Sequence, residues 1–219
     1  MLQLTTPSNK IITTSQKFGT HALLQRVQQG EEKRWFSQYR GLTLSSAFQP
    51  IISLNHRRIV GHEALLRTHD HHKQTISPEP LFHSRQNIED TIELDRLCRT
   101  LHARNYQHAK QNNEWLFLNI NPEVINHGHH YSCFFSQLLD ETGINPSQVV
   151  VEVLENQVSD ETQLRESINY YRQMGCLIAI DDFGAGHSNI DRVLHMEPEI
   201  VKLDRSLLFN TTAKAKRIL

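Results

Sequence analysis

The sequence lacks the long hydrophobic runs that mark membrane-spanning helices. Only 38% of its 219 residues are hydrophobic, and no run approaches the ~18 consecutive apolar residues that a spanning helix needs. The first residues also lack a basic start followed by a compact apolar stretch, so a secretory signal is not predicted. These absences argue against a membrane protein, and we expect a cytoplasmic one.

An excess of one charge and clustered cysteines are also missing. The 23 Lys and Arg residues nearly balance the 24 Asp and Glu residues, which leaves a net charge of −1. A protein that holds a nucleic-acid polymer through bulk positive charge is therefore not expected, whereas a small anionic ligand needs only local charge. Cys98, Cys133 and Cys176 lie far apart and form no CxxC pair. We expect buried free thiols, with neither a disulfide framework nor a zinc site.

Histidine, in contrast, is unusually frequent. The 14 histidines include two clusters, at residues 69–72 and 127–130, and both lie among polar and glycine residues in predicted loops. Because a metal site needs ligands that are held in a fixed geometry, we favour solvated loop histidines over a metal centre at either cluster.

Apolar runs alternate with amphipathic segments along most of the chain. After a polar start, we expect a helix from His21 to Tyr39. Six strands are predicted at 47–52, 58–66, 115–120, 149–154, 176–180 and 200–203, with helices at 88–111, 131–142 and 159–174. Near-continuous β-branched runs separated by helices are typical of a parallel sheet covered by helices. Both a doubly wound sheet and a TIM-type barrel have this alternation.

Polar residues that interrupt the apolar strands favour the barrel. A carboxylate or a lysine inside an apolar strand is costly unless it is paired or bound to a metal ion. Five strands carry such groups, which suggests that the strands bring them to one point. Strand ends form a single ring in a barrel, whereas a flat sheet would spread them apart. The polar residues in these five strands are Glu63, Asn119, Glu152, Asp181 with Asp182, and Lys202. For any single one of them, the alternative is a buried ion pair with a structural role.

The same residues predict an oxygen-rich metal site. Carboxylate and amide oxygens without sulfur suit Mg²⁺ or Mn²⁺. The adjacent Asp181 and Asp182 could bridge two ions ~4 Å apart, an arrangement used for in-line phosphoryl displacement. Lys202 would then place a fixed cation near the attacked phosphate or the nucleophilic water.

Six motifs, in this order, resemble those of the EAL family of cyclic di-GMP phosphodiesterases. They are Phe48-Gln49-Pro50-Ile51, Glu63-Ala64-Leu65-Leu66-Arg67, Leu118-Asn119-Ile120-Asn121-Pro122, Glu152-Val153-Leu154-Glu155, the segment Asp181 to Gly186, and Lys202-Leu203-Asp204. The resemblance covers residues 48–208. It implies an α/β fold, a TIM-type (β/α) barrel in which one strand is antiparallel to the rest. It also implies metal-dependent hydrolysis of cyclic di-GMP to linear pGpG in bacterial second-messenger signalling.

The resemblance implies metal-binding and catalytic roles for several motif residues. Lys202 would position the catalytic water, and Glu155 would anchor the loop that follows Asp182. The residues that would bind a first metal ion are Glu63, Asn119, Glu152 and Asp181, and a second ion would be bound by Asp181 with Asp182.

Four further residues would contact the ligand if the resemblance holds. Arg67 and the Leu66 backbone would hold the phosphate and the ribose. Gln49 and Asp95 would lie near a guanine. For Asp95, the alternative is a solvated acid or an acid in the first turn of its helix.

We expect a polar lead-in and N-terminal helix over residues 1–47, followed by an EAL-type domain over 48–219. The family barrel continues beyond the lysine strand, so this chain is expected to be truncated, with about six of eight strands. Unpaired strand edges invite pairing with another chain, which predicts a homodimer or self-association.

Because the last two strands would be missing, the alternative to an enzyme is a non-catalytic module that binds cyclic di-GMP or a protein partner.

Overall fold

The computed structural model describes residues 19–30, 32–83, 87–109, 113–127, 133–154, 160–184 and 196–209. Within these ranges the helices are α1 (Thr20–Arg26), α2 (Glu79–His83), α3 (Ile88–Ala109), α4 (Pro122–Asn126), α5 (Phe134–Thr142), α6 (Glu161–Gln173) and α7 (Ser206–Phe209). The strands are β1 (Val27–Gln29), β2 (Trp35–Tyr39), β3 (Leu42–Ser53), β4 (Arg58–His69), β5 (Thr75–Ile76), β6 (Trp115–Asn119), β7 (Val149–Val153), β8 (Leu177–Phe183) and β9 (Ile200–Leu203). No described helix combines the length and the apolar character needed to cross a bilayer.

All of these strands belong to one sheet. Their order is β1-β2-β3-β4-β6-β7-β8-β9, and β5 pairs with β4. The pairs β1–β2, β2–β3 and β3–β4 are antiparallel, whereas β4, β6, β7, β8 and β9 run parallel to one another. Parallel strands that alternate with helices are the building units of a TIM-type barrel. Strand β3 departs from this pattern, because it runs antiparallel to β4. Within the described ranges the sheet does not close. The six predicted strands are all present.

The helix predicted from His21 to Tyr39 was wrong beyond Arg26. The chain continues instead as β1 and β2, and a two-residue turn at Arg40 and Gly41 leads into β3. Both turn residues have positive φ, 49° and 78°. This is the type I′ geometry, whose twist matches that of the two strands of a hairpin. The aromatic residues of this segment therefore lie in strand β2 and not along one face of a helix.

The N-terminal elements share contacts with the rest of the domain. β3 begins at Leu42, so the predicted division between residues 47 and 48 falls within this strand. The Thr20 hydroxyl in α1 donates a hydrogen bond to the Phe134 carbonyl at 3.0 Å, and Arg26 forms an ion pair with Glu93 of α3. The first helix therefore packs against the helical layer.

Two apolar clusters occupy opposite faces of the parallel strands. The larger one fills the space between the sheet and the helices. The smaller one, on the inner face, consists of Phe117, Val150 and Ala179, with Ile200 packed against it. Side chains two positions apart in a strand point to the same face. The inner face therefore also carries the residues two positions further along each strand, which are Asn119, Glu152, Asp181 and Lys202.

The three cysteines are free thiols, and two of them are buried. Burial raises the pKa of the Cys176 thiol to about 12 and also raises that of Cys98, so both stay protonated at neutral pH. The prediction of burial was wrong for Cys133, which is exposed because it precedes the first residue of α5 at the surface.

Candidate active site

Three carboxylates from three strands meet on the inner face of the sheet. Glu63, Glu152 and Asp181 each offer an oxygen within 4.8 Å of the other two. The Glu152 side chain is fully buried, whereas those of Glu63 and Asp181 are each 16% exposed. Among the residues that the structure describes, this is the one such group of acidic, histidine or cysteine side chains. The second histidine cluster lies mostly outside the described ranges.

Lys202 lies at the centre of this carboxylate cluster. Its Nζ is 2.5 Å from Glu152 Oε1, 3.0 Å from Glu63 Oε2 and 3.2 Å from Asp181 Oδ1. Burial disfavours the charged ammonium, but the carboxylates, Glu152 foremost, outweigh that cost and raise the pKa of Lys202. Three negative charges and one positive charge leave a net charge of −2 when all four groups are ionised. A divalent cation would neutralise this charge.

Glu152 is the most electrostatically perturbed acid of the cluster. Burial raises its pKa to about 7, the Lys202 ammonium works against that shift, and the Glu63 carboxylate adds to it. The Asn119 amide Nδ2 donates to Glu152 Oε2 at 3.0 Å and lies 3.5 Å from Glu63 Oε1. Asn119 and Glu152 are direct neighbours in the register of β6 and β7. This arrangement leaves the amide oxygen of Asn119 as the atom that could bind a metal ion.

Asp182 lies beside the three-carboxylate group rather than within it. Its φ of 53° is in the left-handed region, which non-glycine residues adopt rarely and aspartate more often than most. The pairing of β8 with β9 shifts register between Ile180 and Phe183, as at a β-bulge. Burial and the adjacent Asp181 carboxylate raise the pKa of Asp182. The bulge therefore turns the second aspartate away from the regular alternation of the strand.

The predicted ligand-binding residues lie near this cluster. Gln49 is exposed and pairs in register with Glu63, so both side chains are on the same face of the β3–β4 pair. A cavity of about 380 Å³ is lined by Leu66, Arg67, Asp95 and Asn119, among others. The Arg67 guanidinium is exposed and donates to the Leu66 carbonyl at 3.0 Å.

Asp95 is buried, and the interpretation of this residue as a solvated or first-turn acid was wrong. Its side chain is 3% exposed and forms an ion pair with Arg99, while Oδ1 accepts a hydrogen bond from the Asn121 backbone N–H at 3.0 Å. Arg99 was not predicted as a partner of Asp95 from the sequence, although its i, i+4 spacing was an available signal. Glu155 lies outside the described residues. The loop that follows Asp182 is described only as far as Gly184.

A family model described as the EAL domain matches residues 32–219. The chain belongs to the EAL domain family. This EAL domain is 28% identical over 183 residues to the probable cyclic di-GMP phosphodiesterase PdeI of Escherichia coli, covering 78% of this chain and 23% of that protein. It is 27% identical over 164 residues to the cyclic di-GMP phosphodiesterase RocR of Pseudomonas aeruginosa, covering 74% of this chain and 42% of that protein. The matches span less than half the length of either relative.

Solved structures resemble this EAL domain over most of the chain. Bacillus subtilis YkuI, with an EAL domain in complex with its substrate c-di-GMP and calcium, matches with a TM-score of 0.65 and 25% identity. That match covers 77% of this chain and 42% of YkuI. Klebsiella pneumoniae BlrP1, a manganese and cyclic di-GMP complex, matches with a TM-score of 0.66 and 24% identity over 80% of this chain and 44% of BlrP1. The predicted fold, an α/β barrel of the EAL kind, is confirmed.

Proposed function

We propose that this EAL domain hydrolyses cyclic di-GMP to linear pGpG with the help of divalent metal ions. The observation that carries the proposal is the convergence of three carboxylates on Lys202 on a largely buried face, which carries a net charge of −2 when all four groups are ionised. Two relatives are named as cyclic di-GMP phosphodiesterases, one of them as a probable one. The neighbours YkuI and BlrP1 hold cyclic di-GMP together with calcium or manganese.

The donor set fits a divalent cation. Its oxygen-only chemistry suits Mg²⁺ or Mn²⁺, and the negative charge that remains beside Lys202 favours binding. When bound, such an ion lowers the pKa of water and neutralises charge on the phosphate oxygens. We propose that Asp182 joins Asp181 in holding a second ion. The residues proposed to hold the first ion are Glu63, Asn119, Glu152 and Asp181.

The chain's own cations would orient the reacting groups. Lys202 stays protonated and is 24% exposed, so its ammonium can donate a hydrogen bond to the attacking water while it holds the carboxylates together. The exposed Arg67 guanidinium can pair with the non-bridging oxygens of the phosphodiester, and the Leu66 backbone lies beside it. Gln49 is proposed to contact a guanine edge. The loop-anchoring role of Glu155 stays a prediction.

The test is hydrolysis of cyclic di-GMP by the full chain with Mg²⁺ or Mn²⁺, with pGpG measured by ion-exchange chromatography. Glu63→Gln should lower the rate by ~100-fold or more, because it removes a charged ligand from the cluster. The matched control is Glu141→Gln, an exposed acid on α5, which should leave the rate unchanged. Wild-type protein that binds cyclic di-GMP without hydrolysing it would contradict the proposal and favour the non-catalytic module. Undiminished hydrolysis by Glu63→Gln would contradict the site.

A cytoplasmic location, a role in bacterial signalling and self-association are also part of this proposal. Ile52 and Leu54, at the tip of the β3–β4 hairpin, are 56% and 86% exposed, and exposed apolar groups of this kind support association with another molecule. Light scattering on the purified chain measures the oligomeric state directly, and a monomer at all concentrations would contradict this part.

A further inference from the structure

A buried polar network connects helix α3 to the end of strand β6, which carries Asn119. We propose that Asp95, braced by Arg99, is a positioning residue that holds the turn at residues 120–122, just after Asn119, in the geometry needed for metal binding. This inference rests on the proposed function of the site, and it gives Asp95 a different role from the guanine contact predicted from the sequence.

The turn after β6 is held on two sides. On the helix side, Asp95 Oδ1 accepts a hydrogen bond from the Asn121 backbone N–H at 3.0 Å. On the strand side, the Ile120 backbone N–H donates to the Glu152 carbonyl at 3.2 Å. The Asn121 side chain in turn accepts from the Glu123 backbone N–H at 2.9 Å and caps α4. Every movement of this turn would therefore shift the residue that precedes it in β6.

That preceding residue is Asn119, whose amide contacts Glu152 at 3.0 Å. Asp95 lies about two helical turns into α3 and supplies the acceptor that fixes the backbone just after Asn119. Outer groups that orient metal ligands typically change metal affinity ~10–100-fold when they are removed. Asp95 therefore acts on the metal site through the backbone, without being a ligand.

Arg99 keeps the Asp95 carboxylate in place. Both side chains are 3% exposed, and they form an ion pair. Arg99 Nη1 donates to the Tyr171 hydroxyl of α6 at 3.2 Å. The guanidinium also lies over the rings of Phe134 and Phe135 of α5, at 5.2 and 5.4 Å from their centroids. Three helices therefore restrain Arg99, and through it the carboxylate of Asp95.

Both oxygens of Asp95 already accept from groups within the protein. Oδ1 is engaged by the Asn121 N–H and Oδ2 by Arg99. A guanine that took over these acceptors would leave the Arg99 charge buried without its partner, which is costly. Asp95 lines the same cavity as Arg67, so its position near a bound ligand follows from its role in the turn.

The experiment measures Mn²⁺ affinity by titration calorimetry without cyclic di-GMP, and kcat and KM for hydrolysis. Asp95→Ala should weaken Mn²⁺ binding about tenfold and lower kcat with little change in KM. Asp95→Asn keeps an oxygen acceptor for the Asn121 N–H but loses the ion pair with Arg99, so its Mn²⁺ affinity should lie between that of Asp95→Ala and that of the wild type. The matched control is Thr20→Val, which removes a buried hydrogen bond to Phe134 and should change neither Mn²⁺ affinity nor kcat.

Unchanged Mn²⁺ affinity in Asp95→Ala would overturn the proposal, and a raised KM with unchanged affinity would show a direct ligand contact instead. If Asp95→Ala fails to fold, Arg99→Met is the second variant, because it loosens the carboxylate but leaves the acceptor. It should weaken Mn²⁺ binding several-fold, and unchanged binding would again overturn the proposal. Wild-type protein that binds Mn²⁺ without hydrolysing cyclic di-GMP would overturn only the proposed function.

Discussion

Replacing Lys202 by Met should remove the positive charge that partly neutralises the three carboxylates of the cluster. Met is similar to the lysine stem in length but carries no charge. In the folded domain, Nζ contacts all three carboxylates at distances of 2.5 to 3.2 Å. Without it, three acids whose oxygens lie within 4.8 Å of one another would face each other without a cation.

The expected cost is large because Glu152 is fully buried. Removing one partner of a buried ion pair typically costs ~3–5 kcal/mol. We expect the lower end, ~3 kcal/mol, because Lys202 is 24% exposed and because an acid can bind a proton to relieve repulsion. The pKa of Glu152, already raised to about 7 by burial, makes this acid the one that would do so.

Urea denaturation at pH 8 with a chelator, followed by circular dichroism, measures the free energy of unfolding. Lys202→Met should be less stable than the wild type, and Mn²⁺ should stabilise the variant more than the wild type, since the divalent ion replaces the missing charge. The double variant with Glu152→Gln also removes the buried carboxylate nearest to Lys202 and should recover part of the loss, since Glu63 and Asp181 still face each other. Equal stability of Lys202→Met and the wild type in chelator would refute the reasoning.

Three further predictions concern the loop after β8, a buried histidine and the choice of metal. Gly184 has a φ of 96°, and an added Cβ would clash with the Leu207 side chain, whereas Gly143 has a φ of 62° and open space around it. Gly184→Ala should therefore cost ~2 kcal/mol of unfolding free energy and Gly143→Ala ~1 kcal/mol, and equal losses would contradict the clash. Burial lowers the pKa of His102 from 6.5 to about 4. The unfolded chain therefore binds this proton at a higher pH than the folded one. Protonation of His102 in the unfolded chain should lower the free energy of unfolding by ~2 kcal/mol as the pH falls from 7.5 to 5. The His102→Gln variant should lose less over that interval in denaturation experiments. Calcium should displace Mn²⁺ in competition titrations yet support little hydrolysis, because it prefers more ligands at longer distances, and turnover with Ca²⁺ at the Mn²⁺ rate would contradict this.

The β-strand period accounts for much of what could be predicted. Apolar runs located the six strands, and polar interruptions at Glu63, Asn119, Glu152 and Asp181 indicated one face of the sheet. In a strand, alternate side chains share a face whatever the rest of the fold does. The position of these residues relative to Phe117 and its neighbours in the small cluster therefore follows from local geometry alone.

The N-terminal segment shows where local patterns are ambiguous. The apolar residues between His21 and Tyr39 fit a helix, but the turn at Arg40 and Gly41 and the pairing with β3 make a hairpin of the second half. The choice depends on a partner strand that begins at Leu42. A short apolar run cannot select between the two structures until that partner is known.

The sequence by itself therefore determined six of the nine described strands, the inward-facing polar residues of the parallel ones, and the family. Only the tertiary structure decided that Lys202 lies between the three carboxylates, that a bulge and a positive φ re-aim Asp182, and that Asp95 accepts a hydrogen bond from the Asn121 backbone. These features arise from contacts between elements that are far apart in the chain, up to 139 positions for Lys202 and Glu63. Such contacts depend on the twist and register of the assembled sheet and on how the helices pack over it, which no local periodicity encodes.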